Sequence, residues 1–275
     1  HPDDDLRATQ PPPHRGPRVS AAAQGATRRT PVPVALQLYS LREALAADPS
    51  GTIERVARMG FEGVEPFGLT RESAKAQKAL FDEFGLKVPS VHAPLHLPER
   101  ADEALAVAEV LGCERIASGY GPDWYVSLDA VDRAAAGFNR ASDLARAQGR
   151  RYAIHNHWWE FEPVEGSLPY RRMLQTLDPG VSFQADVYWV QAAGLDPVSV
   201  LRELGPRVET LHMKDGSTVK EDPMTALGRG VVDVRGIATA TSHTVDWWIV
   251  ELDRCATDMF TAVSESLAYL ASLDG

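Results

Sequence analysis

Eight short runs of β-forming residues recur along the chain, and segments with helical periodicity lie between them. The runs span residues 34–39, 61–65, 88–92, 115–118, 152–157, 181–186, 208–214 and 247–252. Such alternation predicts parallel strands joined by crossover helices. The eight repeats occupy residues 34–275, a length that matches a closed (β/α)8 barrel, which usually has ~250 residues. We therefore predict a single TIM barrel over residues 34–275.

A doubly wound parallel sheet is the alternative fold for this pattern. That fold usually carries a glycine-rich phosphate loop directly after its first strand. Residues 37–42 (QLYSLR) contain no glycine. Glycines stand instead where predicted helices end, at Gly60, Gly85 and Gly149, which is the usual C-terminal position. The barrel is therefore the preferred prediction.

Residues 1–33 differ from the rest of the chain. They contain a proline triplet at 11–13, an acidic triplet at 3–5 and almost no large apolar side chain. This composition is typical of a flexible tail, so we predict that residues 1–33 lie outside the barrel domain. The two cysteines, Cys113 and Cys255, lie far apart and lack metal-binding spacing, so we expect two small buried thiols.

The charge balance argues against some partners. The 275 residues include 28 Lys and Arg against 38 Asp and Glu, a formal charge of -10. Binding to a phosphate backbone needs a basic face, so we expect no nucleic-acid partner. No apolar run approaches the roughly 20 residues of a membrane helix, so we expect no membrane partner.

We expect a cytoplasmic protein. The alternative is export with a signal removed before His1, and a homodimer is left open.

Most of the predicted strands end in polar residues, and chemistry in TIM barrels takes place at the carboxyl ends of the strands. Side chains alternate along a strand, so His155 and His157 share one face, and so do His212 and Lys214. Each residue taken singly also fits a structural role at a barrel rim. The full set is Glu65, His92, His155, Asn156, His157, Asp186, His212, Lys214, Asp215 and Glu251.

Imidazoles and carboxylates that converge in one barrel mouth need a cation or substrate hydroxyls between them. Mixed nitrogen and oxygen ligands suit Mn²⁺, Zn²⁺, Co²⁺ or Mg²⁺, and the lack of thiolates argues against a structural site. Three or four protein ligands would leave positions for substrate oxygens, which is the catalytic pattern. The sequence therefore predicts a catalytic divalent-metal site.

Other features of the sequence have weaker interpretations. Trp158, Trp159 and Trp189 either complete the rim of the core or form a stacking platform for a sugar ring. Residues 228–233 (GRGVVD) predict a tight turn with Asp233 as helix N-cap rather than a phosphate cradle. No cluster of Lys and Arg is evident after the seventh and eighth runs, so we do not expect a phosphate group on the substrate.

Seven motifs are spread along the chain: LQLYSLR (36–42), GFEGVE (60–65), IHNH (154–157), DVYW (186–189), LHMKD (211–215), LGRG (227–230) and IVELD (249–253). With these motifs the chain resembles, over residues 34–273, the sugar phosphate isomerase/epimerase family of xylose-isomerase-like TIM barrels. The resemblance implies one divalent metal in the barrel mouth, expected to be Mn²⁺, and chemistry next to a carbonyl of a ketose, inosose or keto-sugar. A basic groove, which the related apurinic endonucleases need, is not expected at this charge.

The wider superfamily holds its metal with Glu, Asp, His and Glu from strands five to eight, and the resemblance matches the last three to Asp186, His212 and Glu251. The fifth strand departs from this pattern, because His155 stands where Glu is usual. The subgroup marked by His-Asn-His shares this departure, so His155 is the predicted fourth ligand. Glu160 is the alternative ligand, although we expect the chain to turn outward before it.

The resemblance also assigns roles around the metal. A polarised carbonyl acidifies the neighbouring C–H, and a carboxylate or imidazole then moves the proton. We predict that Glu251 and His157 do this, and that Lys214 offsets enolate charge or instead forms a salt bridge with Asp215 or Glu251. The predicted substrate contacts are Glu65, His92, Glu160 and Trp189.

Three outcomes follow from the same proton abstraction. Return of the proton to the opposite face gives epimerisation, and return to the adjacent carbon gives isomerisation through an enediolate. Expulsion of a β-oxygen substituent gives elimination, as in keto-glycoside lyases or an inosose dehydratase. We predict an isomerase or epimerase, with the lyase as alternative and a non-catalytic sugar-binding barrel as the second alternative.

Overall fold

The computed structural model describes residues 30–273, which form a barrel of eight parallel strands surrounded by helices. The strands pair in the order β2-β1-β8-β7-β6-β5-β4-β3. Single bridges close the remaining gap, because Val64 N donates to Lys87 O and His92 N to Pro66 O, each at 2.9 Å. The predicted TIM barrel is confirmed. The strands are β1 Val34–Gln37, β2 Gly63–Glu65, β3 Ser90–His92, β4 Arg115–Ser118, β5 Arg151–His155, β6 Val181–Asp186, β7 Val208–Met213 and β8 Trp247–Val250.

Helices follow the strands and pack around the barrel. Gly60, Gly85 and Gly149 have φ of 103°, 71° and 67°, the left-handed region that glycine adopts without strain, which confirms the predicted helix ends. Asp233 caps a helix by accepting a hydrogen bond from Gly236 N at 2.9 Å, as predicted. The helices are α1 Arg42–Ala47, α2 Pro49–Met59, α3 Arg71–Glu83, α4 Ala101–Leu111, α5 Leu128–Ala147, α6 Pro169–Leu174, α7 Val187–Ala192, α8 Pro197–Leu204, α9 Val234–Thr241 and α10 Met259–Ser272.

The amino-terminal end of the barrel is closed by ion pairs. The buried guanidinium of Arg115 lies 2.6 Å from carboxylate oxygens of both Glu209 and Asp246. Arg115 also donates to Pro89 O at 3.3 Å, so one side chain connects four strand beginnings. Loss of these carboxylates would leave the buried guanidinium charge of Arg115 uncompensated, which is costly. This end therefore serves stability, and the opposite end is open for chemistry.

The predicted boundary between the tail, residues 1–33, and the barrel differs from the structure. Residues 1–29, most of the predicted tail, lie outside the described residues. Val32 is buried, and Pro33 O accepts a hydrogen bond from Trp248 N at 3.1 Å, so the packed chain begins before Val34. Cys113 is buried as expected, but Cys255 is partly exposed because it lies in the loop after β8. Within residues 30–273 no helix is both long and apolar enough to cross a membrane.

Candidate active site

A cavity of about 750 Å³ opens at the carboxyl ends of the strands. Asp186 and His212 are fully buried against its floor. Ten residues were assigned a catalytic, substrate-binding or metal-binding role. Six of them line the cavity, and Asp186 and His212 contact the lining residues Lys214 and Glu251, whereas Glu65 and Glu160 are not among the lining residues. The predicted residues that line the cavity are His92, His155, His157, Trp189, Lys214 and Glu251.

The four predicted metal ligands converge. One donor atom from each of His155, Asp186, His212 and Glu251 lies within 4.8 Å of those of the other three. All four residues are buried, yet among the described residues His155 Nδ1 has no hydrogen-bond partner, and Asp186 Oδ2 contacts one cation, Lys214 Nζ, at 2.9 Å. Unpaired buried polar atoms are costly, and a cation between these side chains would pair them. This donor set of imidazole and carboxylate fits a divalent metal ion.

The balance of charge around these residues also fits a cation. Glu65, Asp186, Glu251 and the neighbouring Asp253 supply four carboxylates, and within the described residues the cations that contact them are Lys214 and His212, whose pKa is raised to about 10. A surplus of buried negative charge is unfavourable unless a cation offsets it. A divalent ion would remove most of that surplus.

Lys214 contacts the carboxylates of the two acidic ligand candidates, Asp186 and Glu251. Its Nζ lies 2.9 Å from Asp186 Oδ2, 2.8 Å from Glu251 Oε2 and 3.0 Å from Asp253 Oδ1. Burial lowers the pKa of Lys214, but these carboxylates outweigh burial and place the pKa well above its ordinary value. The predicted alternative of a salt bridge with Glu251 is confirmed, whereas Asp215 is not a partner. Lys214 is thus a permanent cation in the cavity wall.

His212 is held between two carboxylates. Its Nε2 lies 2.7 Å from Glu65 Oε1, and its Nδ1 lies 2.6 Å from Glu251 Oε2. Burial lowers the pKa of His212, but Glu251 and Glu65 outweigh burial and raise the pKa to about 10. His92 stacks on His212 with ring centroids 5.3 Å apart. The seventh-strand imidazole is therefore fixed in position before any ligand binds.

Glu65 has a different position from the substrate contact predicted for it. It has no exposed surface, and it accepts hydrogen bonds from Gln37 Nε2 at 2.7 Å, Gln184 Nε2 at 2.6 Å and Ser90 Oγ. Burial raises the pKa of Glu65, but His92 and His212 outweigh burial and lower it to about 2. Glu65 is a buried anion that orients His212, because every direction around its carboxylate is occupied by protein.

Glu160 also departs from its predicted surroundings. The chain turns inward after β5 rather than outward, and Glu160 is 1% exposed. Its Oε2 accepts a hydrogen bond from His157 N at 2.9 Å, and burial raises its pKa to about 8. In the described chain Glu160 belongs to neither group of side chains that could hold a metal. Of the two fifth-strand candidates, the structure groups only His155 with the other ligands.

An aromatic wall lines one side of the cavity. His157 stacks on Trp159 with centroids 4.3 Å apart, and Trp158 packs against Trp189 at 4.8 Å. Burial and Lys214 lower the pKa of His157 to about 3, so its ring is neutral near pH 7. Trp189 is 5% exposed, so it is part of the core rim and of the cavity wall at once.

Ser90 and Gln184 contribute to the site but were not found from the sequence, whereas Asn156 was among the predicted strand-end residues. Ser90 and Gln184 lie two positions before His92 and Asp186, so strand alternation places them on the same face one layer below. Asn156 accepts from Asp186 N at 2.9 Å and donates to Asp186 O at 3.1 Å, which fixes the backbone of that ligand. Counting back two residues from the polar residue at each strand end would have found Ser90 and Gln184.

The loop after β7 forms an anion cradle that the chain itself fills. The Asp215 carboxylate accepts hydrogen bonds from Gly216 N, Gly228 N, Gly230 N and Val232 N at 2.8–3.0 Å. The backbone donors of residues 228–232 are therefore not available to a phosphate. Asp215 closes this loop over the site instead of binding Lys214.

Cations line the cavity mouth, contrary to the expectation from the sequence. Lys220 follows β7, Arg254 follows β8, and Arg42 follows β1, and all three line the cavity. Lys220 forms an ion pair with Glu162, and Arg254 Nη2 donates to Lys220 O at 2.8 Å. The sequence did not show this group of cations, because the three residues come from separate loops that only the closed barrel brings together. The expectation of a substrate without a phosphate group stays a prediction.

A β/α barrel that gathers imidazoles and carboxylates at its strand ends belongs to the class of TIM barrels with a mouth site. Comparison with family models is consistent with this geometry. The chain belongs to the xylose isomerase-like TIM barrel family, whose model matches residues 53–273.

Solved structures share the fold. A sugar phosphate isomerase/epimerase from Parabacteroides distasonis superposes with a TM-score of 0.78 at 24% identity, over 92% of this chain and 98% of that chain. A probable 3-DHS dehydratase from Bacillus anthracis gives 0.70 at 14% identity, over 87% and 98%. A D-tagatose 3-epimerase-like protein gives 0.69 at 15% identity, over 88% and 98%. No curated protein matches the sequence.

Proposed function

We propose that the protein is a divalent-metal-dependent sugar isomerase or epimerase that acts next to a carbonyl of a ketose, inosose or keto-sugar. The convergence of His155, Asp186, His212 and Glu251 within 4.8 Å at the cavity floor carries the proposal. Mn²⁺ is the expected ion, and Zn²⁺, Co²⁺ and Mg²⁺ are alternatives. The neighbours named as isomerase/epimerase and as epimerase-like support the same class of reaction.

The residues divide the chemistry between them. The metal, when bound, polarises the substrate carbonyl and acidifies the adjacent C–H. Glu251 accepts that proton as a carboxylate, which Lys214 and His212 keep ionised at 2.8 Å and 2.6 Å. Lys214 offsets the negative charge of the enediolate. His157 presents a neutral imidazole on the aromatic wall and serves as the second proton-transfer group, while His92 and Trp189 contact the sugar.

Elimination is a second candidate, because it needs one carboxylate base. The wider superfamily has a glutamate on each of strands five and eight, and here His155 replaces the first of them, so Glu251 alone remains. Glu251 would remove the C–H proton, the β C–O bond would break, and the departing alkoxide would take up a proton to leave as an alcohol or water. The cavity of about 750 Å³ also exceeds the need of one sugar ring, since pockets of roughly 300–1,000 Å³ hold drug-sized ligands. The dehydratase among the structural neighbours is consistent with this alternative.

Proton exchange in D₂O tests both candidates. The purified protein with Mn²⁺ would be incubated with a panel of ketoses, inososes and methyl 3-keto-glycosides, with and without phosphate, and followed by NMR. Deuterium next to the carbonyl with an isomeric product supports the isomerase, and a released alcohol supports the lyase. Binding without exchange would identify a sugar-binding barrel instead. Asp186→Ala should lose both metal and exchange, whereas the exposed His243→Gln should match the wild type.

A further inference from the structure

A second polar group lines the cavity on the side away from the candidate metal site. His96 lies just after β3 and Ser118 ends β4, and both line the cavity. In an eight-stranded barrel, β3 and β4 lie across from β7 and β8, which carry His212 and precede Glu251. A sugar in the cavity therefore faces the charged residues on one side and His96 on the other.

A hydrogen-bond chain fixes the His96 ring. Ser118 Oγ lies 2.8 Å from His96 Nδ1 and 2.8 Å from Tyr152 Oη. The buried Tyr152 hydroxyl has one other acceptor, Ser118 O at 3.5 Å, which is beyond the roughly 2.5–3.0 Å of an O–H···O hydrogen bond. Tyr152 therefore donates to Ser118 Oγ. Among the described residues the Ser118 hydroxyl has no acceptor other than His96 Nδ1 once it accepts from Tyr152, so we assign the Ser118 proton to a hydrogen bond with Nδ1. Nδ1 is an acceptor, so the ring proton is on Nε2.

The surroundings keep this ring neutral. Burial lowers the pKa of His96 to about 4, although Glu99 raises it in part. The other titratable groups against the ring are Tyr152 and Tyr120, and burial raises the pKa of both. His96 is therefore an uncharged imidazole from pH 5 upward. Within the described residues, no protein acceptor pairs with its Nε2–H.

The ring is also held mechanically. Tyr120 packs edge-on against His96 with centroids 4.3 Å apart, and its hydroxyl donates to His96 O at 3.2 Å. Phe138 packs against both rings. Gly137, in the middle of α5, leaves the space that the Tyr120 hydroxyl fills. A glycine inside a helix costs stability, so this space has a structural use.

We propose that His96 Nε2–H donates a hydrogen bond to an oxygen atom of the bound sugar, across the cavity from Lys214 and Glu251, with Ser118 and Tyr152 as positioning residues. The ligand's identity as a sugar rests on the proposed function. A neutral N–H donor recognises a carbonyl, hydroxyl or glycosidic oxygen and stabilises negative charge that develops there without adding a cation.

The tautomer can be tested without any substrate. The full chain would be labelled with ¹⁵N-histidine, and long-range ¹H–¹⁵N spectra would be recorded from pH 5 to 8. One histidine should remain in the neutral Nε2–H form throughout. Its signals should vanish in His96→Gln, and they should change to mixed tautomers in Ser118→Ala, which gives a second assignment. A proton on Nδ1, or titration near pH 6.5, would overturn the inference.

Ligand contact is the second measurement, with methyl 3-keto-glucoside as the probe and Mn²⁺ present. The probe should shift the His96 Nε2–H signal. His96→Phe, which keeps an aromatic ring but has no N–H donor, should bind the probe roughly two- to tenfold more weakly with Mn²⁺ affinity retained, because one neutral hydrogen bond is lost. His243→Phe, at an exposed position, is the matched control and should bind like the wild type. Unchanged binding in His96→Phe would overturn this subsite alone. A wild type that binds no probe would count against the proposed function as well.

Discussion

Gly119 should be irreplaceable because β4 and β5 approach each other closely at this point. A Cβ at position 119 would stand well inside 3.0 Å of the His155 carbonyl oxygen, a separation that real Cβ atoms do not show. Ordinary contact begins at 3.4 Å, so the two backbone segments would have to separate by roughly 1 Å. Overpacking of this kind costs about 1–3 kcal/mol. For a domain of this size, that corresponds to a melting temperature lower by roughly 2–10 °C.

The same displacement moves a proposed metal ligand, so Gly119→Ala should also weaken Mn²⁺ binding by roughly tenfold or more. Gly121→Ala is the matched control, because no atom lies within 4 Å of a Cβ there and its φ of -76° suits alanine. Thermal unfolding without metal and Mn²⁺ titration would be measured for both variants. If Gly119→Ala behaves like Gly121→Ala in both assays, the close-approach argument fails.

Three further substitutions test other parts of the site. Glu160→Gln should retain metal and should raise the free energy of unfolding in urea at pH 8 but not at pH 4. The pKa of Glu160 is about 8 in the folded protein and 4.5 ordinarily, so the wild type loses stability as the pH rises from 4.5 to 8. An equal gain at both pH values would contradict this. Asp215→Asn should cost about 1–3 kcal/mol, because amide hydrogens then face backbone N–H groups, with Asp222→Asn as an exposed control. Gly137→Ala should lower the melting temperature despite its better helix propensity, and Tyr120→Phe should rescue it by removing the overlapping hydroxyl; a stabilised single variant would refute the packing argument.

The strands and the convergence of the four ligand candidates could be predicted because both follow from local patterns. The run 181–186 coincides with β6, and the polar residue that ends it, Asp186, lies at the cavity floor. A parallel barrel brings all strand ends to one rim, so the position of a residue at its strand end is enough to group it with the others. His155 joined this group by the same rule.

The remaining features depend on loops, which have no period. Glu160 follows a turn that buries it, and nothing in the residues 156–161 shows the direction of that turn. The cradle around Asp215 joins donors 13–17 residues away, and the cations at the mouth come from three loops. Glu65 ends its strand like the other site residues, but the short β2 places it below the rim. The positions of these side chains are set by tertiary packing alone.

The cavity is divided electrostatically, and this division orients a substrate. Glu251, Asp186 and Lys214 lie on the side of strands six to eight, where every group is ionised and a cation fits. The opposite wall offers His96 and Ser118, which are neutral. A keto-sugar would therefore place its carbonyl and the carbon that loses a proton on the charged side. Its distal hydroxyl or glycosidic oxygen would then meet His96. If elimination is the reaction, the departing oxygen gains charge beside an N–H donor, and His96→Phe, which lacks that donor, should lower kcat more than it raises KM. If isomerisation is the reaction, His96 touches an oxygen that does not react, and the loss should appear mainly in KM.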